Sequence, residues 1–173
     1  MLKRRLLILS DLFGGKKPEW IKYYTEKLDS KFDIQYYDVL ELGEIEVSDS
    51  NEKSIHDQFL AGGIDKAIEN LLKQERDEVV VLGFSIGGTI AWKASLQGLK
   101  TSQLIAVSST RLRFETEAPK CKIKLYFGEK EVNIPNSKWF SDFKISNQIL
   151  ENQEHQLYLD KKNALLICND VLQ

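Results

Sequence analysis

Residues 79–91 read VVVLGFSIGGTIA and give the clearest indication of the fold in this sequence. It opens with an uninterrupted run of valine and leucine, which is typical of a strand buried on both faces of a parallel sheet. A glycine-rich turn around Ser85 follows, and the segment after the turn has helical composition until Gly98 ends it. The stretch therefore predicts a strand, a sharp turn and a helix in immediate succession.

Short apolar runs rich in β-branched residues recur along the rest of the chain and predict further strands. Segments with the apolar spacing of a helix lie between most of these runs. Alternating strands and helices indicate βαβ units, in which helices cover both faces of a parallel sheet. We therefore predict an α/β fold of three layers, α/β/α, with a mainly parallel six-stranded sheet. The candidate strands are residues 6–9, 32–37, 79–82, 104–107, 123–127 and 148–150.

Two of the predicted helices have a clear inner face. In residues 60–72 the apolar positions recur at helical steps, so one stripe should face the core. That stripe consists of Leu60, Ile64, Ala67, Ile68, Leu71 and Leu72. The last helix should begin after Asp160, a residue type that often caps a helix N-terminus. Its predicted inner face consists of Ala164, Leu165, Cys168, Val171 and Leu172.

Composition limits the classes of protein to which the chain can belong. The 173 residues are 42% hydrophobic, which fits one domain, residues 1–173, whose core needs no disulfide or metal. Lysine and arginine number 24 against 26 acidic residues, and this balance disfavours nucleic acid or an anionic membrane as partner. No apolar run approaches the ~20 residues that cross a bilayer. Cys121 and Cys168 lack metal-ligand spacing, and free thiols suit a reducing compartment. We expect a cytoplasmic protein without cofactor or metal, and its oligomeric state stays open.

The turn Gly83-Phe84-Ser85-Ile86-Gly87 has the Gly-x-Ser-x-Gly pattern of a nucleophile elbow, in the strand-turn-helix context that this motif requires. Such a turn holds its serine in a strained conformation, and side chains two positions away on either side would collide with neighbouring backbone. Glycines at both positions remove those side chains. The helix that follows points its N–H groups toward charge that develops at the serine. The alternative is a glycine-rich turn of an ordinary doubly wound sheet that happens to contain a serine.

A serine hydroxyl is a poor nucleophile unless a base removes its proton, and the chain has 2 histidines. His56 lies upstream of the turn beside Asp57, where an exposed or capping role is expected. His155 follows the last predicted strand, on a loop that should leave the same sheet edge as the serine, and it is the predicted base. A carboxylate that orients the histidine should follow the preceding strand, where Glu129 and Glu131 compete.

With these residues the chain resembles a compact, lidless α/β-hydrolase over nearly its whole length. In that family the acid lies in a Gly-x-x-Asp-x-x-(Val/Ile)-Pro turn after the next-to-last strand. Residues 128–135 read GEKEVNIP and match this turn with Glu131 at the acid position. The resemblance also implies an oxyanion hole formed by two backbone N–H groups, those of Leu12 after the first strand and of Ile86.

The resemblance implies a serine hydrolase of the carboxylesterase or thioesterase kind, which cleaves a small ester, thioester or amide through an acyl-enzyme. Ser85, His155 and Glu131 would form its catalytic triad, and its partner would be a small acyl substrate. Family members commonly carry a lid where this chain has only residues 108–122, so an open site is expected. The competing class is a non-catalytic α/β-hydrolase-like binding module, which Asp11 in the oxyanion loop and the glutamate at the acid position favour.

Overall fold

A parallel six-stranded sheet forms the centre of the molecule. The computed structural model describes residues 3–16, 18–48 and 51–173. The strands are β1 (Arg4–Leu9), β2 (Phe32–Tyr37), β3 (Val79–Phe84), β4 (Thr101–Val107), β5 (Lys122–Gly128) and β6 (Ser146–Leu150). They lie in the order β2-β1-β3-β4-β5-β6, and every neighbouring pair is parallel. Each candidate strand lies within one of them, so the predicted fold class is confirmed.

Helices cover both faces of the sheet and make up the outer two layers. They are α1 (Lys22–Leu28), α2 (Val39–Leu42), α3 (Glu52–Gln58), α4 (Ile64–Gln74), α5 (Ile86–Leu96), α6 (Ser137–Phe143) and α7 (Lys161–Val171). Helices α1 and α7 pack on one face, and the remaining helices pack on the other. Within the described ranges, no helix has the length and apolar character that crossing a membrane requires.

Strand β3 is buried along its whole length because it lies inside the sheet with helices above and below it. Side chains of a strand alternate between the two faces. Val79 and Val81 pack with the layer that contains α4 and α5, whereas Val80 and Leu82 pack with α1 and α7. Full burial of each such side chain contributes roughly 1.5 to 3 kcal/mol. Two apolar environments therefore explain why this strand is a continuous apolar run.

The helix predicted over residues 60–72 begins later than its apolar spacing indicates. Residues 59–63 form a kink between α3 and α4, and Gly62 within it has a non-helical φ of +133°. The turn redirects the chain before the buried stripe starts. Leu60 is consequently 46% exposed, so its predicted place on the inner face is wrong. The buried residues of α4 are Ile64, Ala67, Ile68 and Leu71.

The last helix begins where it was predicted. The Asp160 carboxylate accepts hydrogen bonds from the backbone N–H groups of Lys162 at 2.8 Å and Asn163 at 3.0 Å, and so caps α7. The inner face is narrower than predicted, because Leu165 and Leu172 lie on its flanks and are exposed. The buried apolar residues of α7 are Ala164, Ile167, Cys168 and Val171.

All the strands run in one direction, so the loops that follow them leave the same edge of the sheet. The loop after β1 carries Leu12, and Ser85 directly follows β3. The loops after β5 and β6 carry Glu131 and His155. Parallel topology thus collects residues from four distant parts of the sequence at one edge of the sheet.

Candidate active site

Ser85 lies at the junction of β3 and α5 in a strained backbone conformation, with φ +51° and ψ −118°. The close approach of strand, helix and neighbouring loop explains the two glycines of the motif. A Cβ on Gly83 would lie 2.5 Å from the Cα of Gly88, and a Cβ on Gly87 would lie 2.3 Å from the carbonyl oxygen of Ser10. The chain can therefore turn this sharply only where both positions lack a side chain.

Ser109, which follows β4, stabilises the turn at Ser85. Its hydroxyl donates a hydrogen bond to the carbonyl oxygen of Ser85 at 2.8 Å. It also fills the space beside Gly88, where a Cβ would lie 2.0 Å from the Ser109 Oγ. Ser109 is almost fully buried, with 1% of its surface exposed. Nothing in the sequence singles out Ser109, because a serine after a strand belongs to no motif and this contact joins two separate loops.

An unbroken chain of hydrogen bonds joins the serine, the histidine and the glutamate. The Oγ of Ser85 lies 2.9 Å from Nε2 of His155, and Nδ1 of His155 lies 2.5 Å from Oε1 of Glu131. A carboxylate can only accept, so Nδ1 carries the hydrogen of this contact. In the neutral imidazole Nε2 is then an acceptor, and the serine hydroxyl donates to it.

The two glutamates that compete in the sequence have different partners in the structure. Glu131 contacts the histidine, and its second oxygen accepts a hydrogen bond from the backbone N–H of Gly128 at 3.1 Å. Glu129 instead accepts from the backbone N–H of Asn152 at 2.9 Å and braces the loop that carries the histidine. Gly128 lets the two loops touch, because a Cβ there would lie 2.4 Å from the carbonyl oxygen of Gln153.

The histidine and the glutamate differ in their exposure to solvent. The side chain of Glu131 is 2% exposed, whereas that of His155 is 43% exposed. Excluding water strengthens the electrostatic interaction between a carboxylate and a cation beside it. The glutamate is therefore shielded from solvent, while the imidazole remains open to it.

Leu12 and Ile86, whose backbone N–H groups were predicted as oxyanion donors, line the same cavity as Ser85 and His155. Ile86 is the first residue of α5, and the first N–H groups of a helix have no acceptor within the helix. Leu12 is half-buried in the loop after β1. In the part of the chain that the structure describes, neither N–H donates a hydrogen bond. Both donors are thus free for an external acceptor.

The carboxylate of Asp11, next to Leu12, is held by donors of its own. It is 3% exposed, accepts a hydrogen bond from the Tyr158 hydroxyl at 2.8 Å, and accepts another from the backbone N–H of Gly14 at 3.2 Å. Burial raises the pKa of Asp11, and the hydrogen bond from Tyr158 opposes that rise. The ring of Tyr158 also meets the His155 ring edge-on, with 6.4 Å between centroids. Asp11 therefore ties the loop after β1 to the segment that follows the histidine.

The chain has a sequence relative in Bacillus subtilis. No family model matches it. Its sequence is 30% identical over 142 residues to the uncharacterized protein YczH of Bacillus subtilis (strain 168), and the alignment covers 76% of this chain and 67% of YczH. The chain belongs to the YczH family.

Solved structures show that this YczH-family chain has the α/β-hydrolase fold. A protein from Xanthomonas campestris pv. campestris that is assigned to the alpha/beta hydrolase superfamily matches it with a TM-score of 0.74 at 17% identity, over 99% of each chain. A protein from Thermoplasma acidophilum that is assigned as a CIB-like hydrolase matches with a TM-score of 0.67 at 22% identity, over 98% of this chain and 85% of that one. The resemblance predicted from the elbow and its surroundings is confirmed at the level of the fold.

A cavity of about 160 Å³ adjoins Ser85 and His155 in this YczH-family protein. Helix α3 contributes His56 and Glu52 to its wall, and the residues after β4 contribute Arg111. The volume is well below the roughly 300 to 1,000 Å³ of pockets that hold drug-sized ligands. The space beside the serine therefore suits a small group.

His56 lies in a different environment from the one predicted. It is half-buried and lines the cavity, so the expectation of an exposed or capping residue is wrong. The cap of α3 is Asn51, whose side chain accepts from the backbone N–H of Ser54 at 2.9 Å. The position of His56 depends on the direction in which the turn at residues 59–63 orients α3 relative to the sheet edge. The residues around His56 contain no pattern that predicts this turn.

In the described ranges, no group of three or more histidine, cysteine or acidic side chains is placed so that it could hold a metal ion. Cys121 and Cys168 are free thiols. Burial raises the pKa of Cys121 to about 11 and that of Cys168 to about 12. Both side chains are therefore neutral thiols at physiological pH and act as packing residues.

Proposed function

We propose that this protein is a serine hydrolase that cleaves a small ester, thioester or amide through an acyl-enzyme. The observation that carries the proposal is the hydrogen-bond chain from Ser85 through His155 to the buried Glu131. A serine at a strained turn, a histidine that can take its proton and a carboxylate that holds the histidine together make up the apparatus of nucleophilic acyl transfer.

In the first half of the proposed reaction, Oγ of Ser85 attacks the carbonyl carbon of the substrate while its proton passes to Nε2 of His155. Glu131 accepts the hydrogen bond from Nδ1 and stabilises the imidazolium that forms. The histidine then gives its proton to the departing alcohol, thiol or amine, and the bond between carbonyl carbon and leaving group breaks. The acyl group remains on the serine as an ester.

In the second half, a water molecule repeats the attack. His155 takes its proton, the oxygen bonds to the acyl carbon, and the bond to Ser85 breaks as the serine recovers its proton. In both halves the carbonyl oxygen carries negative charge in the tetrahedral intermediate. The free N–H groups of Leu12 and Ile86 are the proposed donors to that oxygen.

Asp11 and the glutamate at the acid position are the two sequence features that favour a non-catalytic binding module, and in the structure both are compatible with catalysis. Asp11 is hydrogen-bonded to Tyr158 and Gly14, so its charge is compensated beside the loop after β1. The longer side chain of Glu131 reaches the histidine and keeps its second oxygen on Gly128. A module that only bound a partner would have no need of this relay, which supports the enzyme.

The small cavity predicts a preference for short acyl groups. An enclosed acyl tunnel would gain about 0.8 kcal/mol, or roughly fourfold in kcat/KM, for each methylene buried. A cavity of about 160 Å³ cannot supply that gain beyond a few carbons. Steady-state assays with p-nitrophenyl esters should give the highest kcat/KM from acetate to butyrate and a decline toward octanoate. A continuous rise through octanoate would refute the small-acyl part of the proposal, and absence of hydrolysis with every ester would count against the hydrolase itself.

A further inference from the structure

Arg111 places a permanent positive charge in the wall of the cavity that also contains Ser85 and His155. It lies in the short helical segment Thr110–Phe114 after β4, and its side chain is half-buried. A guanidinium stays protonated at every physiological pH. The cavity therefore has one fixed cationic group close to the reacting atoms.

No carboxylate neutralises this charge within the described ranges. Arg111 takes part in no ion pair or hydrogen bond there, and its one identified contact is with the ring of Phe114, 5.3 Å from the guanidinium carbon. Arg113, two positions on, does have a structural role: it donates to the carbonyl oxygen of Thr110 at 2.9 Å and stacks on the same ring at 4.0 Å. The half-buried guanidinium of Arg111 thus keeps all its donors for a group from outside.

The acidic side chain in the cavity wall does not form an ion pair with Arg111. Glu52 is the one carboxylate that lines the cavity among the described residues, and it is exposed on α3. No ion pair joins it to Arg111, and it faces solvent that screens its charge. Taking a guanidinium partly out of water without a partner is unfavourable, and binding an anion there would compensate for that loss.

A second polar group of the cavity also lacks a partner. Thr89, one turn along α5 from Ser85, lines the cavity and is 1% exposed. Its hydroxyl makes no hydrogen bond in the described part of the chain. Because this oxygen is closed off from solvent, a substrate does not reach it in this conformation, which leaves Arg111 as the candidate anion-binding group of the cavity wall.

We propose that the substrate is a short acyl compound that carries a carboxylate group, and that Arg111 binds this carboxylate while Ser85 attacks the acyl carbonyl. This inference rests on the proposed hydrolase function. The planar guanidinium can hold both carboxylate oxygens at once, which a lysine could not do. The size of the cavity limits the spacing between carboxylate and carbonyl to a few carbons. A monoester of a short dicarboxylic acid meets both conditions.

The test compares two esters of nearly equal shape that differ in charge, monoethyl succinate and ethyl 4-methylpentanoate, with hydrolysis followed by pH-stat titration. Wild-type protein should prefer monoethyl succinate in kcat/KM. In Arg111→Gln the ratio of the two kcat/KM values should fall by roughly 10- to 100-fold, the range that loss of hydrogen bonds to a charged group implies. Arg113→Gln is the matched control, because it removes the same charge from the same segment and Arg113 itself does not line the cavity. It should keep the wild-type ratio, since glutamine can still donate a hydrogen bond to the carbonyl oxygen of Thr110, which does line the cavity.

Three results would overturn the inference while leaving the hydrolase in place: no preference for the anionic ester in wild-type protein, a preference that survives Arg111→Gln, or an equal loss in Arg113→Gln. The last of these would assign the preference to the overall field of the segment. Failure to hydrolyse either ester, together with failure of Ser85 to react with a fluorophosphonate, would instead reject the proposed function and the inference with it. Circular dichroism of each variant checks that the fold is intact.

Discussion

Replacing Ser85 by alanine is expected to lower kcat for an activated ester by at least about 10⁴-fold, and replacing His155 by alanine should cost a similar factor. The two losses should be nearly equal because the residues act as a unit, so that removal of either one disables the proton transfer as well as the attack. The double variant should therefore be scarcely worse than either single variant. Steady-state hydrolysis of p-nitrophenyl acetate by the three purified variants measures this.

His56→Ala provides the matched histidine control for that experiment. His56 lines the same cavity but lies outside the hydrogen-bond chain, so its loss should reduce activity far less than the loss of His155. If Ser85→Ala or His155→Ala kept near wild-type activity with an intact circular dichroism spectrum, the assignment of the nucleophile or of the base would be wrong.

The second large effect is expected at the acid. Glu131→Gln should lower kcat by about 10³- to 10⁴-fold, because a neutral amide cannot offset the charge of the imidazolium. Both oxygens of Glu131 now accept N–H donors, from His155 and from Gly128. An amide has one acceptor oxygen, so one of the two N–H groups would face the NH₂ of the glutamine.

Glu129→Gln is the control for this prediction. The change removes a carboxylate two residues away, yet its amide oxygen can still accept from the backbone N–H of Asn152. Turnover should therefore stay within a few-fold of wild type, and kcat measured on one ester for both variants separates the two glutamates. Equal losses at the two positions would remove the special role of Glu131.

The strands could be predicted from the sequence because burial on two faces leaves a clear pattern. Residues 79–82 form an apolar run since helices pack on both sides of β3, and the same reason applies to the neighbouring strands. Asp160 marked the start of α7 because an N-cap is a local interaction within a few residues. Patterns of this kind depend on near neighbours in the chain or on the simple distinction between buried and exposed.

The beginning of α4 was mispredicted because helical spacing does not report chain direction. Leu60 fits the apolar stripe, but the positive φ of Gly62 turns the chain before the stripe reaches the core. The same turn orients α3, which brings His56 to the cavity. The glycine pair within this amphipathic segment therefore affects which residues line the cavity, and the apolar spacing of the segment does not predict that effect.

The residues of the candidate site also differ in whether local sequence patterns identify them. Ser85 could be found from the glycines around it, because their absence of side chains is a local steric requirement. The choice between Glu129 and Glu131 could not be made from spacing alone and followed from the resemblance to α/β-hydrolases. Arg111 carries no motif, since its place beside the serine results from packing between loops that are distant in sequence. The catalytic roles remain predictions.

Covalent labelling with a fluorophosphonate shows whether Ser85 is an activated nucleophile. The native protein should acquire a single label, which peptide mass spectrometry should locate on Ser85. Ser85→Ala and the denatured wild-type protein should acquire none, and Glu131→Gln should react much more slowly. A folded wild-type protein that stayed unlabelled, or that carried the label on another residue, would show that Ser85 is not an activated nucleophile.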